Sequence, residues 1–115
     1  MERRDICVFG SLNVDLTVKM ARFHAPGETV TGESFNVYTG GKGGNQAVAA
    51  ARLGAKVHLV AALGEDANGA MYQETLAREG IDAAGVQRRA DVSSGVAVIE
   101  VDDSGENRIV VVPGA

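Results

Sequence analysis

Apolar and polar positions follow two different periods along this chain. Ile6-Cys7-Val8-Phe9, closed by Gly10, is a short continuous apolar run, the pattern of a strand buried on both faces of a parallel sheet. From Ser11 to Val18 the pattern switches to strict alternation, which predicts a strand with one covered face and puts Asn13, Asp15 and Thr17 on the same side. Asn and Asp are poor strand formers, so two of them on one face call for a reason beyond contact with water.

Ala25-Pro26-Gly27-Glu28 reads as a turn through its Pro-Gly pair. Thr29-Val30-Thr31 and Ser34-Phe35-Asn36-Val37-Tyr38-Thr39 read as strands, so alternating strands are expected at about 12–20 and 29–39. After a glycine-rich stretch, Ala47, Val48 and Ala51 recur at helical spacing until Gly54, the residue expected just past a helix C-terminus. Val57 to Leu63, closed by Gly64, is a second buried strand, and the helix between two such strands makes a right-handed βαβ unit. A second helix is expected through Met71, Leu76 and Ala77 up to Gly80, then a short strand around Val86. Gly95–Val101 and Arg108–Val112 flank the turn residues 102–107 and predict a hairpin. Two helices are few for this many strands, because a buried parallel sheet needs both faces covered. The pattern predicts an α/β fold whose inventory is incomplete, a piece of a larger α/β domain.

The chemistry concentrates in Gly40-Gly41-Lys42-Gly43-Gly44-Asn45. Glycines there let the backbone turn sharply and bring its own N–H groups against a ligand, and the helix expected from Asn45 adds a terminus that favours polar or anionic groups. Lys42 is the one side chain with reach and charge. Neither familiar nucleotide motif fits. A Walker A loop needs Ser or Thr after Gly-Lys and a glycine where Asn36 stands, and a dinucleotide turn through Gly41 and Gly43 needs a small residue where Gln46 stands.

Composition narrows the partners. The 115 residues are 45% hydrophobic and 23% charged with net charge -4, an ordinary globular balance for one domain at most. The basic residues are scattered apart from Arg3-Arg4 and Arg88-Arg89, which argues against nucleic acid and anionic membrane surfaces. Cys7 is the only cysteine, which leaves no internal disulfide and predicts a small buried hydrophobe rather than a nucleophile. The stretch Met1–Asp5 leads into too short an apolar run for a signal peptide, and no run approaches membrane-spanning length, so a cytoplasmic location is expected. His24 and His58 lack partners at metal-ligand spacing, and no metal site is expected.

Taken together, Gly10-Ser11-Leu12-Asn13-Val14-Asp15, Pro26-Gly27-Glu28-Thr29, Gly40 to Ala47, Gly64-Glu65-Asp66, Ser94-Gly95-Val96-Ala97 and Gly105-Glu106-Asn107 closely resemble the ribokinase-like (PfkB-type) carbohydrate kinases, in particular their ribose-phosphorylating branch. The resemblance implies a Rossmann-type α/β/α core with a small β-sheet lid, of which residues 1–115 would be the N-terminal, sugar-binding half. It implies transfer of the ATP γ-phosphoryl group to the 5-hydroxyl of D-ribose, with Mg2+ and a monovalent cation such as K+, in a homodimer joined through the lid.

Carried onto this chain, Asn13, Asp15, Gly41, Lys42, Gly43, Gly44 and Asn45 correspond to sugar-binding positions, and Ala97, Ile99 and Val111 to apolar residues beside the sugar. Gly40-Gly41 falls where a hinge would close the lid. Gly44 stands where these kinases commonly have alanine, and His24-Ala25 interrupts their usual proline pattern. The resemblance places the catalytic aspartate with its anion hole, the Mg2+-linked acidic motif and the adenine pocket in a second half, so the 115 residues alone are expected to be inactive. Alternatives are another sugar or nucleoside kinase of the same family, or a non-catalytic sugar-binding or dimerisation module.

Overall fold

The computed structural model describes residues 3–115. Met1 and Glu2, at the start of the stretch considered for a signal peptide, lie outside them. In chain order the elements are β1 (Asp5–Phe9), β2 (Asn13–Lys19), β3 (Ser34–Gly40), α1 (Lys42–Arg52), β4 (Lys56–Gly64), α2 (Ala67–Arg78), β5 (Asp82–Arg89), β6 (Gly95–Val101) and β7 (Asn107–Val112). They form two sheets. One is parallel and three-stranded in the order β1-β4-β5; the other is four-stranded and mixed, in the order β3-β2-β6-β7.

The parallel sheet is built as the apolar runs require. Val8 lies beside Leu59, and Ala61 beside Val86, so these residues share a face with Val57 and Leu63. That face meets Ala47 of α1 and Tyr72 and Leu76 of α2 in a single core. The opposite face carries Phe9, 84% exposed, together with Cys7 and Val60, both exposed. Two sequence expectations are corrected here: β1 is covered on one face rather than two, and Cys7 is not buried. Both described helices pack on the Val8 side, and Cys7 and Phe9 alternate to the other.

The mixed sheet contains more than the alternation suggests. β2 and β3 pair antiparallel as a hairpin, and β6 and β7 form the predicted second hairpin. The two are joined by β2 and β6 running parallel, Asn13 opposite Gly95 through Lys19 opposite Val101. Thr29–Thr31 is no strand, a further correction. Both edges of β2 are occupied, and the segment instead follows a turn in which Glu28 N–H donates to the Ala25 carbonyl (3.0 Å) and Arg22 grips the Glu28 carboxylate at 2.8 Å on both oxygens. The chain rejoins the sheet where Glu33 N–H donates to the Lys19 carbonyl at 2.7 Å.

Helix α1 begins at Lys42, earlier than the Asn45 read from the alanine run. Gly41 takes φ +87°, a left-handed conformation that glycine adopts without penalty. A Cβ there would also lie 2.6 Å from the Ser11 carbonyl oxygen. Gly43 and Gly44 are inside the first helical turn and buried. Their small size serves close packing, not a loose loop: a Cβ on Gly43 would come within 2.7 Å of the Gly10 carbonyl carbon, and one on Gly44 would run into the Tyr72 hydroxyl. Helix α2 starts on Asp66, whose carboxylate accepts the Gly69 N–H at 2.8 Å, the usual satisfaction of a free helical donor. β5 spans Asp82–Arg89, longer than the segment around Val86 suggests. No described helix is long and apolar enough to cross a membrane.

Candidate functional site

The register of the mixed sheet gathers the sequence-predicted residues into rows. Residues directly opposite on neighbouring strands point to the same face. Tyr38, Asp15, Ala97 and Val111 form one row across β3, β2, β6 and β7, and Asn36, Thr17, Ile99 and Ile109 form the next. Asn13 stands between Gly40 and Gly95 at the end nearest the core. One face thus sets a polar column, Asn13-Asp15-Thr17, beside an apolar column, Ala97-Ile99. Ala97 is buried, Ile99 half-buried, and Val111 is exposed.

Glycine opens space for the two amide and acid side chains. Asn13 Oδ1 occupies the position a Cβ on Gly95 would need, and the Asp15 carboxylate lies 2.5 to 2.9 Å from the Cβ position of Gly40. Asp15 is half-buried, and burial holds its pKa above the usual carboxylate value; no hydrogen bond or neighbouring charge acts against that shift. A carboxylate that is partly dehydrated and unsatisfied has strong unspent capacity to accept hydrogen bonds.

The second group sits at the start of α1. Lys42 and Asn45 are exposed while Gly43 and Gly44 are buried. Asn45 lines a groove between α1 and α2 with Thr39, Arg52 and Tyr72. Thr39 alternates away from the Asp15 face. The sheet register brings Asn13, Asp15, Ala97, Ile99 and Val111 together, and Lys42 and Asn45 follow Gly41, whose Cβ position lies 2.8 Å from the Asn13 nitrogen. The expected N–H cradle is partly consumed by the protein itself. Gly44 N–H donates to the Ser11 carbonyl at 3.3 Å and Asn45 N–H to the Gly41 carbonyl at 2.9 Å.

Two features escape the sequence. Tyr72 is 1% exposed, and its hydroxyl donates to the Gly40 carbonyl at 2.5 Å. Burial, and secondly the charge of Asp15, push its phenol up to about 12. The other is the junction of α2 with β6. The Asp66 carboxylate accepts the Ser94 hydroxyl at 2.7 Å and the Ser94 N–H at 2.8 Å, while Ser94 Oγ accepts the Gly64 N–H at 2.9 Å. Asp66 carries a visible signal as an acidic residue three before Gly69 at a helix start. Tyr72 carries none, because its spacing is that of any core position on α2.

Comparison with known proteins adds the wider context. The family profile described as pfkB family carbohydrate kinase matches residues 3–115. A ribokinase of Haemophilus influenzae is 43% identical over 113 residues, covering 98% of this chain and 37% of that protein. A ribokinase of Bacillus subtilis is 45% identical over 112 residues, 97% of this chain and 38% of that protein. The solved structure of an Arabidopsis thaliana ribokinase complexed with ribose and ATP superposes with a TM-score of 0.89 at 34% identity, covering all of this chain (100%) and 37% of that one. The chain thus spans little more than a third of the length of these relatives.

Proposed function

Because the chain belongs to the pfkB family of carbohydrate kinases, we propose that the protein carrying it transfers the γ-phosphoryl group of ATP to the 5-hydroxyl of D-ribose, and that these residues hold the sugar. The observation that carries this reading is Asp15, a half-buried carboxylate raised in pKa by burial alone, in one row with Ala97 and Val111. A pentose presents adjacent hydroxyls on one side and C–H groups on the other. Asp15 accepts from two neighbouring hydroxyls, Asn13 donates and accepts beside it, and Ala97, Ile99 and Val111 cover the C–H surface. The relatives named ribokinase and the related structure complexed with ribose and ATP support the same substrate.

In this reading Lys42 and Asn45, with the backbone at Gly41, Gly43 and Gly44, complete the sugar site when the mixed sheet moves as a lid about Gly40-Gly41. Closure brings the two sets together and excludes water, which otherwise competes as phosphoryl acceptor. The described residues do not fit a Mg2+ site, having no group of three or more His, Cys, Asp or Glu side chains able to hold a metal ion. The catalytic base, the nucleotide site, Mg2+ and K+ are assigned to other parts of the protein. What these residues contribute is binding and orientation of the acceptor, one part of a catalysis that rests on positioning and charge neutralisation together.

The test is ATP-dependent phosphorylation of D-ribose by the protein carrying this chain, with the isolated 115 residues alongside. Formation of ribose 5-phosphate by the former and none by the latter is expected. Absence of ribose binding in calorimetry on the protein would overturn the assignment.

The face of the mixed sheet opposite Asp15 bears Phe35, Val37, Val98, Val110 and Val112, all exposed. We assign to it the lid-to-lid contact of a homodimer, since a continuous apolar strip on a β-sheet is costly to leave in water. Sedimentation equilibrium showing a dimer that dissociates on Val110→Lys is the expected result, and a monomer under all conditions excludes the contact.

A further inference from the structure

The hydroxyl of Tyr72 reaches from the second turn of α2 into the junction between β3 and α1. It donates to the carbonyl of Gly40, the last residue of β3, and it does so through the space left by the missing side chain of Gly44, whose Cβ it would overlap. The same Gly40 is the floor under the Asp15 carboxylate, which stands 2.5 Å from the Cβ position of that glycine. A single buried oxygen therefore fixes the peptide on which the acid rests. Tyr72 is otherwise enclosed by the core with Leu76 and Ala47, so the hydroxyl cannot swing to another partner without moving the ring.

We propose that Tyr72 is a positioning residue for Asp15: its hydrogen bond to Gly40, made through the notch at Gly44, anchors the Gly40 end of the hinge, so that Asp15 keeps its place on that peptide when the lid closes on the sugar. The inference rests on the reading of Asp15 as a sugar ligand. The pair is size-matched, because glycine at 44 is what admits the phenol oxygen and the phenol oxygen is what fills the notch. Loss of the hydroxyl frees the Gly40 carbonyl and lets the junction sample orientations in which Asp15 is displaced. That reduces the fraction of protein competent to bind sugar and weakens apparent affinity by the same fraction. Transfer of the phosphoryl group, once the sugar is bound and the junction is in place, is unaffected.

The experiment is steady-state phosphorylation by the protein carrying this chain, varying ribose and ATP separately, for the wild type and for Tyr72→Phe, Gly44→Ala and Asp15→Ala. Ribose calorimetry and thermal melting are run on each. Tyr72→Phe keeps the ring and its packing. It is expected to raise the ribose KM about fivefold, with kcat and the ATP KM within about twofold of wild type. Gly44→Ala, which displaces the hydroxyl while keeping it, is expected to shift the ribose KM in the same direction and further.

If Asp15→Ala abolishes ribose affinity while Tyr72→Phe and Gly44→Ala leave the ribose KM unchanged, the positioning role is wrong and the sugar site stands. If kcat, the ATP KM and the ribose KM all worsen in step with a lowered melting temperature, Tyr72 is only structural and the proposal again fails. If Asp15→Ala leaves ribose affinity intact, the sugar-site reading itself falls and takes this inference with it.

Discussion

Replacing Asp15 by alanine is expected to lower ribose affinity about 100- to 10,000-fold in the protein carrying this chain, since two hydrogen bonds to a charged acceptor are lost at roughly 1.5–3 kcal/mol each. Calorimetry with ribose measures this directly. The same substitution is expected to leave the melting temperature unchanged or slightly raised. The carboxylate is half-buried, its pKa is raised by burial with no compensating partner, and removing a partly dehydrated charge relieves the folded state. This opposite response separates a binding residue from a structural one, because function is lost while stability is kept or gained. Asp15→Asn retains the shape and one acceptor oxygen, and its affinity is expected to fall between the two. A variant that loses ribose affinity only in proportion to lost stability would remove Asp15 from the site.

Part of this arrangement is legible in the amino-acid sequence. The alternation from Ser11 to Val18 puts Asn13, Asp15 and Thr17 on one face, and the register of β2 with β3 and β6 keeps them there. Strand period is a local property, so a short window suffices to read it. Gly54, expected just past a helix, has φ +97° beyond Leu53 at the end of α1. The apolar wall needs more. Ala97, Ile99 and Val111 are placed beside Asp15 from the sequence only through resemblance to the family, because the parallel pairing of β2 with β6 joins segments far apart in sequence and leaves no mark on either.

The features that local pattern misplaces have one cause. Pattern reports how a residue could be buried, whereas actual burial depends on which elements arrive from elsewhere. Cys7 has the sequence surroundings of a core strand yet is exposed, because both helices pack against the Val8 face. Gly43 and Gly44 look like loop residues from composition, but Gly10 and Tyr72 approach so closely that only glycine fits within the helix. Thr29–Thr31 has strand-forming residues, but β3 and β6 already occupy both sides of β2.

The junction that ties the sheets together gives the other large effect. Asp66→Ala removes the acceptor for the Gly69 N–H, the Ser94 N–H and the Ser94 hydroxyl at once, and Ser94 is 1% exposed, so water cannot replace what is lost. A lost helix cap and a stranded buried hydroxyl and amide together are expected to destabilise the fold by about 3 kcal/mol in denaturant titration at neutral pH. Asp66→Asn, which keeps an acceptor oxygen but faces the Ser94 N–H with its own donor, is expected to lose about half as much. The pH dependence follows from the direction of the shift. The Ser94 hydroxyl first, then its N–H, hold the Asp66 carboxyl below the usual carboxylate range, so its folded pKa lies under its unfolded one. The stabilisation is therefore complete above the unfolded value of about 4 and disappears as pH falls through the folded value. The stability gap between wild type and Asp66→Ala should narrow in acid as the carboxylate is protonated. Because β6 leaves this junction at Gly95, directly against the side chain of Asn13, the same variant should also weaken ribose binding. A gap that stays constant from neutral pH down to about 2 would show that the ionised carboxylate is not what holds α2 to β6.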